Sequence, residues 1–460
     1  MTIKYHPAPE EERKQTMEEE TPFGAAFRKA HFAFGPRYTP LNHGSYGTAP
    51  VPVIRAHSAL RAEADAAPDP FIALDFHARL EAQRRLAAGV LHCGDVDELV
   101  FVPNATTGSD TVLKNIVWEE GDVALCYDLI YDSLGLGLSW AEEARGVQVH
   151  VVELQWPVSD DEVVDAMVDA ARRINAQPGK RVRLAIIDTI ISMPGIRVPF
   201  ERLVPALQGE GALVLVDGAH GIGHVDIDLD TLKPDFFVTN LHKWFFVPRG
   251  CAAFYVPRRH QPLIRTTLPT SHKFKPRKKL GAEAQGGVND EDAKAFAEMF
   301  DFTGTDDTTA WLCVQAALDF RTHICGGESA IQTYCHAVAQ ESAAAVASIL
   351  GTDIMDAPGS CIRDCAFANI RLPLEIGESG KGKVDPAHAG VVSDWFKETG
   401  CRESGMFFQT VLYRGVWYWR VSGMLYVEVE DFRKGAKVLK GLCERVRRGE
   451  HVRGELIMGK

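Results

Sequence analysis

The sequence predicts an α/β protein, with a large domain built on a mixed, mostly parallel sheet of seven strands and a smaller α+β domain at the C-terminal end. Short apolar runs without polar alternation recur between residues 99 and 256, which is typical of strands buried on both faces. Helical stretches separate most of these runs, as in parallel sheets that helices cover on both sides. From about residue 330 the pattern changes to helix, strand, helix, two strands and helix.

The N-terminal part of the chain precedes the predicted sheet. Residues 1 to about 22 are acidic and polar, which predicts a disordered arm. The stretch from about 51 to 92 is rich in Ala, Leu and Arg and predicts helices. We expect these helices to break at Pro68-Asp-Pro70, because proline lacks the backbone donor that a helix interior needs.

The strands of the large sheet are predicted from the apolar runs. The predicted segments are Leu99–Pro103, Val123–Tyr127, Val147–Leu154, Leu184–Asp188, Leu213–Asp217, Phe236–Val238 and Cys251–Val256. The connection between the last two is too short for a helix, so we expect that pair to be antiparallel.

The second domain follows a region that reads as loops. Residues 258 to 310 are predicted to be loop-rich, and a long helix is predicted from near Ala310. The predicted elements beyond it are Ile331–Leu350, Ala366–Leu372, Pro386–Glu398, Met406–Tyr413, Trp417–Ser422 and Val429–Arg448. These patterns predict a large domain over residues 23–310 and a small domain over residues 311–460.

Composition restricts the partners and the compartment. A net charge of −12 and a pI near 5.8 argue against nucleic acid or an anionic membrane as a partner. We find no apolar run of membrane-spanning length and no apolar core of a secretory signal. The 10 cysteines lack metal-type spacing, which predicts no metal site and reduced thiols in a cytoplasmic protein.

Lys243 lies in the most informative stretch of the chain. It follows an apolar strand and the polar residues Thr239, Asn240 and His242, and a Pro-Arg-Gly turn and a second apolar strand come after it. Burying an ammonium without a partner is costly, and one solution is a depressed pKa with the amine used as a nucleophile toward an aldehyde. From Lys243 alone, a surface lysine in a β-turn is an equally good interpretation.

Asp217 ends the buried run Leu213–Asp217. Ligands of open α/β sheets bind at the carboxyl ends of strands, so we expect Asp217 and Lys243 to face one crevice. Pyridoxal phosphate (PLP) needs this pair, because a lysine binds its aldehyde covalently and a carboxylate keeps its pyridine nitrogen protonated. Asp217 alone is equally well explained as a helix N-cap, but both alternatives must hold together to exclude a PLP site.

Several motifs from about residue 35 to about residue 435 resemble one known family. The motifs are Leu41-Asn-His-Gly-Ser-Tyr-Gly-Thr48, Phe101-Val-Pro-Asn-Ala-Thr-Thr107, Ser192-Met-Pro-Gly195, Asp217-Gly-Ala-His-Gly-Ile-Gly223, the segment from Asn240 to Gly250, Thr267-Leu-Pro-Thr-Ser-His272, Thr303-Gly-Thr-Asp306 and Trp419-Arg-Val-Ser422. They resemble PLP-dependent enzymes of fold type I, in the class V aminotransferase group. The chain is most similar to the isopenicillin N epimerase-like branch, and within it to fungal hercynylcysteine sulfoxide lyases. The resemblance implies PLP as the cofactor and an amino acid as the substrate.

The resemblance also implies where the cofactor phosphate binds. A helical run follows the first predicted strand, and backbone N–H groups at a helix N-terminus bind phosphate well. We expect Ala105, Thr106 and Thr107 to be donors, although an ordinary N-cap would give the same pattern. Asn240 and His242 are also expected to reach the phosphate.

Tyr131, His220 and Ser192 are expected beside the cofactor ring. By the resemblance, Tyr131 occupies the position whose ring stacks on the pyridine, and its phenol could move a proton. His220 matches the residue that contacts the 3-oxygen, and Ser192 is expected near the ring. A half-buried loop tyrosine and a histidine with backbone partners are the alternatives. Tyr131, Lys243 and Asp217 form the predicted catalytic set.

The substrate is expected to meet residues from both ends of the chain. Arg420 falls where the family binds the substrate α-carboxylate, and a planar bidentate guanidinium suits that role. The alternative is a strand arginine in a surface ion pair. Asn42, His43, Gly44 and Tyr46 resemble the segment that lines the substrate mouth.

Thr305 links the predicted site to a second subunit. Its segment resembles the one that reaches the phosphate of the neighbouring subunit in this fold. The resemblance therefore implies a homodimer with shared active sites.

The reaction stays open at this point, because this branch hosts several chemistries on one scaffold. Overall similarity favours a lyase that cleaves the Cβ–S bond of a cysteine-derived sulfoxide by β-elimination. The alternatives are an epimerase, a carbon–carbon bond-forming (aldolase-like) enzyme of a fungal alkaloid-type pathway or, more remotely, a PLP-fold regulator without catalysis. Desulfurases need a nucleophilic cysteine on a mobile loop, and Cys401 is the one loop-like candidate.

Overall fold

A computed structural model describes residues 21–271, 273–274, 288–378 and 382–453. Its longer helices are α1 (Ala25–His31), α2 (Val51–Ala66), α3 (Phe76–Val90), α4 (Ala105–Asn115), α5 (Asp132–Arg145), α6 (Asp160–Asn175), α7 (Phe200–Gly209), α8 (Asp290–Asp301), α9 (Val314–Asp319), α10 (Glu328–Leu350), α11 (Val392–Ser404) and α12 (Val429–Arg447). The strands are β1 (Leu99–Val102), β2 (Asp122–Tyr127), β3 (Gln148–Val152), β4 (Arg181–Asp188), β5 (Ile190–Ile191), β6 (Ile196–Arg197), β7 (Leu213–Asp217), β8 (Phe236–Asn240), β9 (Ala252–Tyr255), β10 (Phe367–Arg371), β11 (Thr410–Tyr413) and β12 (Val416–Ser422). The predicted acidic arm lies almost entirely outside the described residues.

The large sheet has seven strands in the order β1-β9-β8-β7-β4-β2-β3. All its neighbouring pairs are parallel except the two that involve β9. The predicted mixed sheet is confirmed, and so is the antiparallel pairing of β8 with β9. Strands β1, β2, β8 and β9 are buried at every residue, which explains why their sequences are apolar without alternation.

The small domain combines an antiparallel sheet, in the order β10-β12-β11, with helices α10, α11 and α12. The N-terminal segment packs against it, because Gly24 donates its backbone N–H to the carbonyl of Leu425 at 2.8 Å and Arg28 pairs with Asp431 at 2.7 Å. Residues 24–28 therefore contact the C-terminal part of the chain. The division of the chain at residue 310 stays a prediction.

Two elements differ from the sequence-based prediction. The region 258–310 is less loop-rich than expected, because it contains α8, whose first turn Asn289 caps by accepting from the Asp292 amide at 2.9 Å. The long helix expected from near Ala310 is instead three short pieces, a 3-10 turn, α9 and a π-helical turn over Phe320–Ile324. Buried Arg321 in that last turn forms an ion pair with Glu328 and donates to the Gly223 carbonyl at 3.3 Å. These contacts hold the chain at the point where a straight helix would continue.

Candidate active site

The carboxyl ends of three neighbouring strands lie side by side at one edge of the large sheet. Asp188 at the end of β4 is aligned with Asp217 at the end of β7, and β8 ends beside β7. Lys243 follows β8, and its Nζ lies 3.2 Å from Nε2 of His220, which follows β7. The structure therefore brings Lys243, Asp217 and His220 into one crevice, where a ligand of an open α/β sheet is expected.

Lys243 is buried, with 8% of its surface exposed. Burial lowers the pKa of Lys243 to about 8, Asp217 and Asp188 oppose this shift, and Arg420 adds to it. No ion pair in the described ranges includes this lysine. A fraction of the amine is therefore neutral near neutral pH, and a neutral amine can act as a nucleophile or a base.

Asp217 keeps one carboxyl oxygen free for a ligand. Its Oδ1 accepts from the Ala219 amide at 2.8 Å, and we find no other hydrogen bond to this carboxyl within the described part of the chain. Burial raises the pKa of Asp217, while the Ala219 amide and the charge of Lys243 act in the opposite direction. A buried carboxyl of this kind suits a protonated pyridine nitrogen as its partner.

Asp188 is a site residue that the sequence analysis missed. The Tyr127 hydroxyl donates to Asp188 Oδ2 at 2.7 Å and accepts from the Asp188 amide at the same distance. Burial and the neighbouring Asp217 raise the pKa of Asp188 well above its usual range. The hydrogen bond from Tyr127 and the charge of Lys243 act in the opposite direction on the pKa of Asp188. The signal was present, because an apolar run ends in aspartate here just as it does at Asp217.

At the N-terminus of α4, two of the three predicted phosphate-binding residues use their backbone amides in hydrogen bonds within the chain. The Ala105 amide donates to Asn240 Oδ1 at 2.9 Å, and the Thr107 amide donates to Asn104 Oδ1 at 2.9 Å. The Thr106 amide has no partner within the described ranges, so it is the backbone donor left for an anion. Asn240 holds the start of the helix, and Asn104 is its N-cap.

One ring nitrogen of His242 is hydrogen-bonded to Cys251, the residue that precedes β9. Its Nδ1–H donates to the Cys251 carbonyl at 3.0 Å, and burial lowers the pKa of His242 to about 4. The ring is therefore neutral, which disfavours a role as a positive phosphate ligand and leaves Nε2 for a neutral hydrogen bond.

Arg420 is fully buried, at 0% exposure, with its guanidinium carbon 4.4 Å from the Phe367 ring centroid. Its Nη1 donates to the Ser192 carbonyl at 2.5 Å, and its Nη2 donates to Asn42 Oδ1 at 2.8 Å and to Ser45 Oγ at 3.1 Å. All three acceptors are neutral, so the alternative of a surface ion pair does not apply. A buried cation without a countercharge is costly, and a substrate carboxylate would supply that charge.

The segment around His43 packs behind the lysine. Buried His43 donates from Nε2 to the Lys243 carbonyl at 2.8 Å and accepts at Nδ1 from the Tyr426 hydroxyl at 2.7 Å. His43 therefore holds the backbone of Lys243. A Cβ on Gly44 would lie 2.3 Å from the Phe367 ring, so only glycine permits this approach.

The remaining predicted residues lie at the rim or outside the crevice. Tyr46 and Tyr131 are 65% and 46% exposed, and burial of the rest of Tyr131, with Asp132 and Asp217 nearby, raises the pKa of its phenol. Thr305 is exposed.

Two other kinds of chemistry were considered in the sequence, a nucleophilic cysteine at position 401 and a metal site. Cys401 is exposed on α11 and not on a loop, and partial burial raises the pKa of its thiol, which disfavours the reactive thiolate. Among the described residues no cluster of three or more His, Cys, Asp or Glu side chains could hold a metal ion. Nor does any helix in the described ranges have the length and apolarity to cross a bilayer.

These residues fit PLP. The buried amine of Lys243 has no ion pair, Asp217 has a free oxygen, and the Thr106 amide at a helix N-terminus has no partner within the described ranges. PLP needs a lysine, a carboxylate and an anion-binding amide in this arrangement at strand ends. Fold and site together define a PLP-dependent enzyme of fold type I.

Comparisons with known proteins agree with this class. Residues 66–370 match the class V aminotransferase family, and the chain belongs to that family. An L-cysteine desulfhydrase-like protein of Epichloe uncinata is 36% identical over 92% of this chain and 97% of its own length. The hercynylcysteine sulfoxide lyase of Schizosaccharomyces pombe is 29% identical over 93% of this chain and 100% of its own length. A solved complex of a cystine C–S lyase with cysteine persulfide shares the fold, with a TM-score of 0.67 at 16% identity over 88% of this chain and 97% of that one.

The attachment of PLP to Lys243 is expected to speed up with pH and to level off just above pH 8. Only the neutral amine attacks, and burial lowers the pKa of Lys243 to about 8. The visible absorption after mixing apoprotein with PLP measures the rate between about pH 6 and pH 10, and Nα-acetyl-lysine, whose side-chain amine has an ordinary pKa, gives the reference profile. A rate that keeps rising to about pH 10, as for an ordinary lysine, would contradict the shifted pKa.

Proposed function

We propose that the chain is a carbon–sulfur lyase that cleaves the Cβ–S bond of a cysteine-derived amino acid, a sulfoxide, by β-elimination. The observation that carries the proposal is the presence of two separate proton-transfer groups. Lys243 is a buried amine with its pKa lowered to about 8, which suits a base, while Tyr131 at the rim has a raised pKa and keeps its proton. Elimination needs both a base for the α-hydrogen and an acid for the leaving sulfur.

The proposed steps assign each group one task. Arg420 binds the substrate carboxylate, and the amine of Lys243 takes the α-hydrogen as a proton. PLP, when bound, withdraws electrons from the α-carbon. As the Cβ–S bond breaks, the sulfur leaves with the bonding electron pair and takes a proton from the Tyr131 hydroxyl. Water then converts the three-carbon fragment to pyruvate and ammonia, with the sulfoxide sulfur released as a sulfenic acid.

The names of similar proteins support a substrate that carries sulfur on its Cβ atom. The names of two similar relatives, an L-cysteine desulfhydrase-like protein and a hercynylcysteine sulfoxide lyase, both point to such a substrate. An isopenicillin N epimerase of Amycolatopsis lactamdurans is also similar, at 28% identity over 62% of this chain and 70% of its own length, which makes epimerisation the second candidate. Carbon–carbon bond formation starts from the same loss of the α-proton and differs only in the bond that forms or breaks afterwards.

Product analysis with a panel of amino acids tests the reaction. The panel contains S-alkylcysteine sulfoxides, the matching sulfides and L-cysteine, with L-alanine as a control that lacks a leaving group. We expect pyruvate and ammonia in equal amounts from a sulfoxide and none from alanine. Recovery of the opposite enantiomer, or of a product with a new carbon–carbon bond and no pyruvate, would reject the lyase.

Tyr131→Phe is expected to separate removal of the α-hydrogen from cleavage of the Cβ–S bond. Phenylalanine keeps the ring and removes the acid, so pyruvate formation should fall roughly 10²–10⁴-fold, the usual worth of a positioned general acid. Exchange of the substrate α-hydrogen with deuterated water should persist, because Lys243 carries it out. Tyr38→Phe is the matched control, since it removes a phenol from a residue that is 40% exposed and lies outside the predicted site. Loss of exchange together with elimination would mean that Tyr131 acts before the Cβ–S bond breaks.

We also propose a homodimer in which Thr305 of one subunit completes the phosphate site of the other. The exposed position of Thr305 and the single free amide at Thr106 support this, because one chain alone offers few phosphate donors among its described residues. Thr305→Ala should weaken PLP retention, and mixing it with Lys243→Ala protein should partly restore activity through heterodimers with one intact site. No recovery on mixing, or full activity of a monomer by light scattering, would contradict the shared site.

We propose a cytoplasmic location and no nucleic-acid or membrane partner. All 10 cysteines are unpaired, which supports a reducing compartment. The acidic net charge of −12 supports the absence of polyanionic partners.

A further inference from the structure

The ring of His220 is held from both sides. The Trp244 indole Nε1–H donates to His220 Nδ1, with 3.1 Å between the two nitrogens. On the other side, His220 Nε2 lies 3.2 Å from Lys243 Nζ and 3.3 Å from Ser192 Oγ. An indole N–H can only donate, so His220 Nδ1 must accept with its lone pair and holds no hydrogen.

His220 is neutral in this environment. It is buried, and burial together with the nearby charges of Lys243 and Arg420 lowers the pKa of His220 well below its usual value. A neutral imidazole holds one hydrogen, and with Nδ1 accepting from Trp244 that hydrogen is on Nε2. The Nε2–H therefore points toward the Lys243 amine and the Ser192 hydroxyl.

We propose that Trp244 is a positioning residue, which holds His220 in the tautomer with hydrogen on Nε2 and so directs an N–H donor at the Lys243 amine. The proposal rests on Lys243 as the reactive lysine and not on the identity of the substrate. An N–H that faces an ammonium is repelled, whereas one that faces the lone pair of a neutral amine is attracted. The fixed tautomer therefore favours the neutral, nucleophilic form of Lys243.

Packing around Trp244 fixes the direction of its N–H. Trp244 is buried, and its ring lies 3.8 Å from that of His224, 4.9 Å from that of His43 and 5.3 Å from that of Phe367, between centroids. These contacts support the indole in the orientation in which its Nε1–H donates to His220 Nδ1. The charged and titratable groups that face Lys243 or His220 are Asp217, Asp188, Arg420, His43 and His224.

The wild-type apoprotein gives the first test, free of any folding problem. Protein labelled with ¹⁵N in its histidines is studied by long-range ¹H–¹⁵N NMR, and the His220 signals are identified by their loss in His220→Asn. We expect His220 to hold its hydrogen on Nε2 alone across neutral pH. A hydrogen on Nδ1, or an imidazolium, would overturn the proposal whatever reaction the enzyme catalyses.

Trp244→Phe gives the second test. Without the indole donor, His220 can place its hydrogen on Nδ1 and accept at Nε2 from a Lys243 ammonium. We expect a second tautomer in the spectrum and a rise of about one to two pH units in the midpoint of PLP attachment, the worth of one hydrogen bond to a charged group. An unchanged tautomer and midpoint in folded Trp244→Phe would overturn the proposal.

Trp417→Phe is the matched control. Trp417 is also fully buried, and its Nε1 has no hydrogen-bond partner within the described residues. The substitution removes the same atoms from the core without removing a bond to a histidine, so we expect an unchanged midpoint. An equal shift in Trp417→Phe would show that packing and not the tautomer sets the midpoint, and it would overturn the proposal.

Discussion

Lys243→Ala is expected to lower turnover on the order of 10⁶-fold, to below detection, the scale seen when a catalytic nucleophile is removed. The substitution removes the covalent attachment of PLP and the base for the α-hydrogen at once. Folding should not suffer, because the buried amine has no ion pair in the described ranges and its charge opposes burial.

The Lys243→Ala experiment needs turnover, thermal unfolding and visible absorption on the same preparations. Lys294→Ala is the control, because Lys294 is exposed on α8, away from the strand ends. We expect the control to match the wild type in every measurement. Turnover of Lys243→Ala within about 100-fold of wild type would mean that another group is the base, since a general base alone contributes roughly 10²–10⁴-fold.

Asp217→Asn is expected to lower turnover by roughly 10²–10³-fold or more while PLP stays attached to Lys243, on the scale of other losses of charge stabilisation in active sites. Asparagine keeps the size of the side chain and can still accept from the Ala219 amide. It cannot hold a positive charge on the pyridine nitrogen, so the ring accepts electrons less readily.

Steady-state kinetics and visible absorption separate the two effects of Asp217→Asn. Asp161→Asn is the control, because Asp161 is exposed on α6 and pairs with Arg202 at the surface. Near-normal turnover of Asp217→Asn would show that the carboxylate is structural, serving only to bind the Ala219 amide.

The strands of the large sheet were predictable because their residues face apolar neighbours on both sides. β2 and β8 are buried along their whole length, so their sequences are apolar runs. Helix α8 was missed because of the loop formers around it, although its buried residues Ala293, Phe296, Ala297 and Phe300 have the spacing of an amphipathic helix.

The positions of Lys243 and Asp217 could be predicted from the general rule on strand ends, but the contacts around them could not. The bond from Trp244 to His220 joins two different loops, and the bond from Tyr127 to Asp188 joins two different strands. Spacing in the sequence predicts neither pair, because both depend on which strands lie next to each other in the folded sheet. The same holds for His43, whose partners lie on the lysine turn and near the C-terminal end.

The central claim is that Lys243 holds PLP in the crevice at the ends of β4, β7 and β8. Borohydride treatment of the yellow holoenzyme, followed by digestion and peptide mass spectrometry, tests it directly. We expect one cofactor per chain, fixed on the peptide that contains Lys243. Cofactor fixed on any other lysine, or a protein that stays colourless after addition of PLP, would contradict the claim.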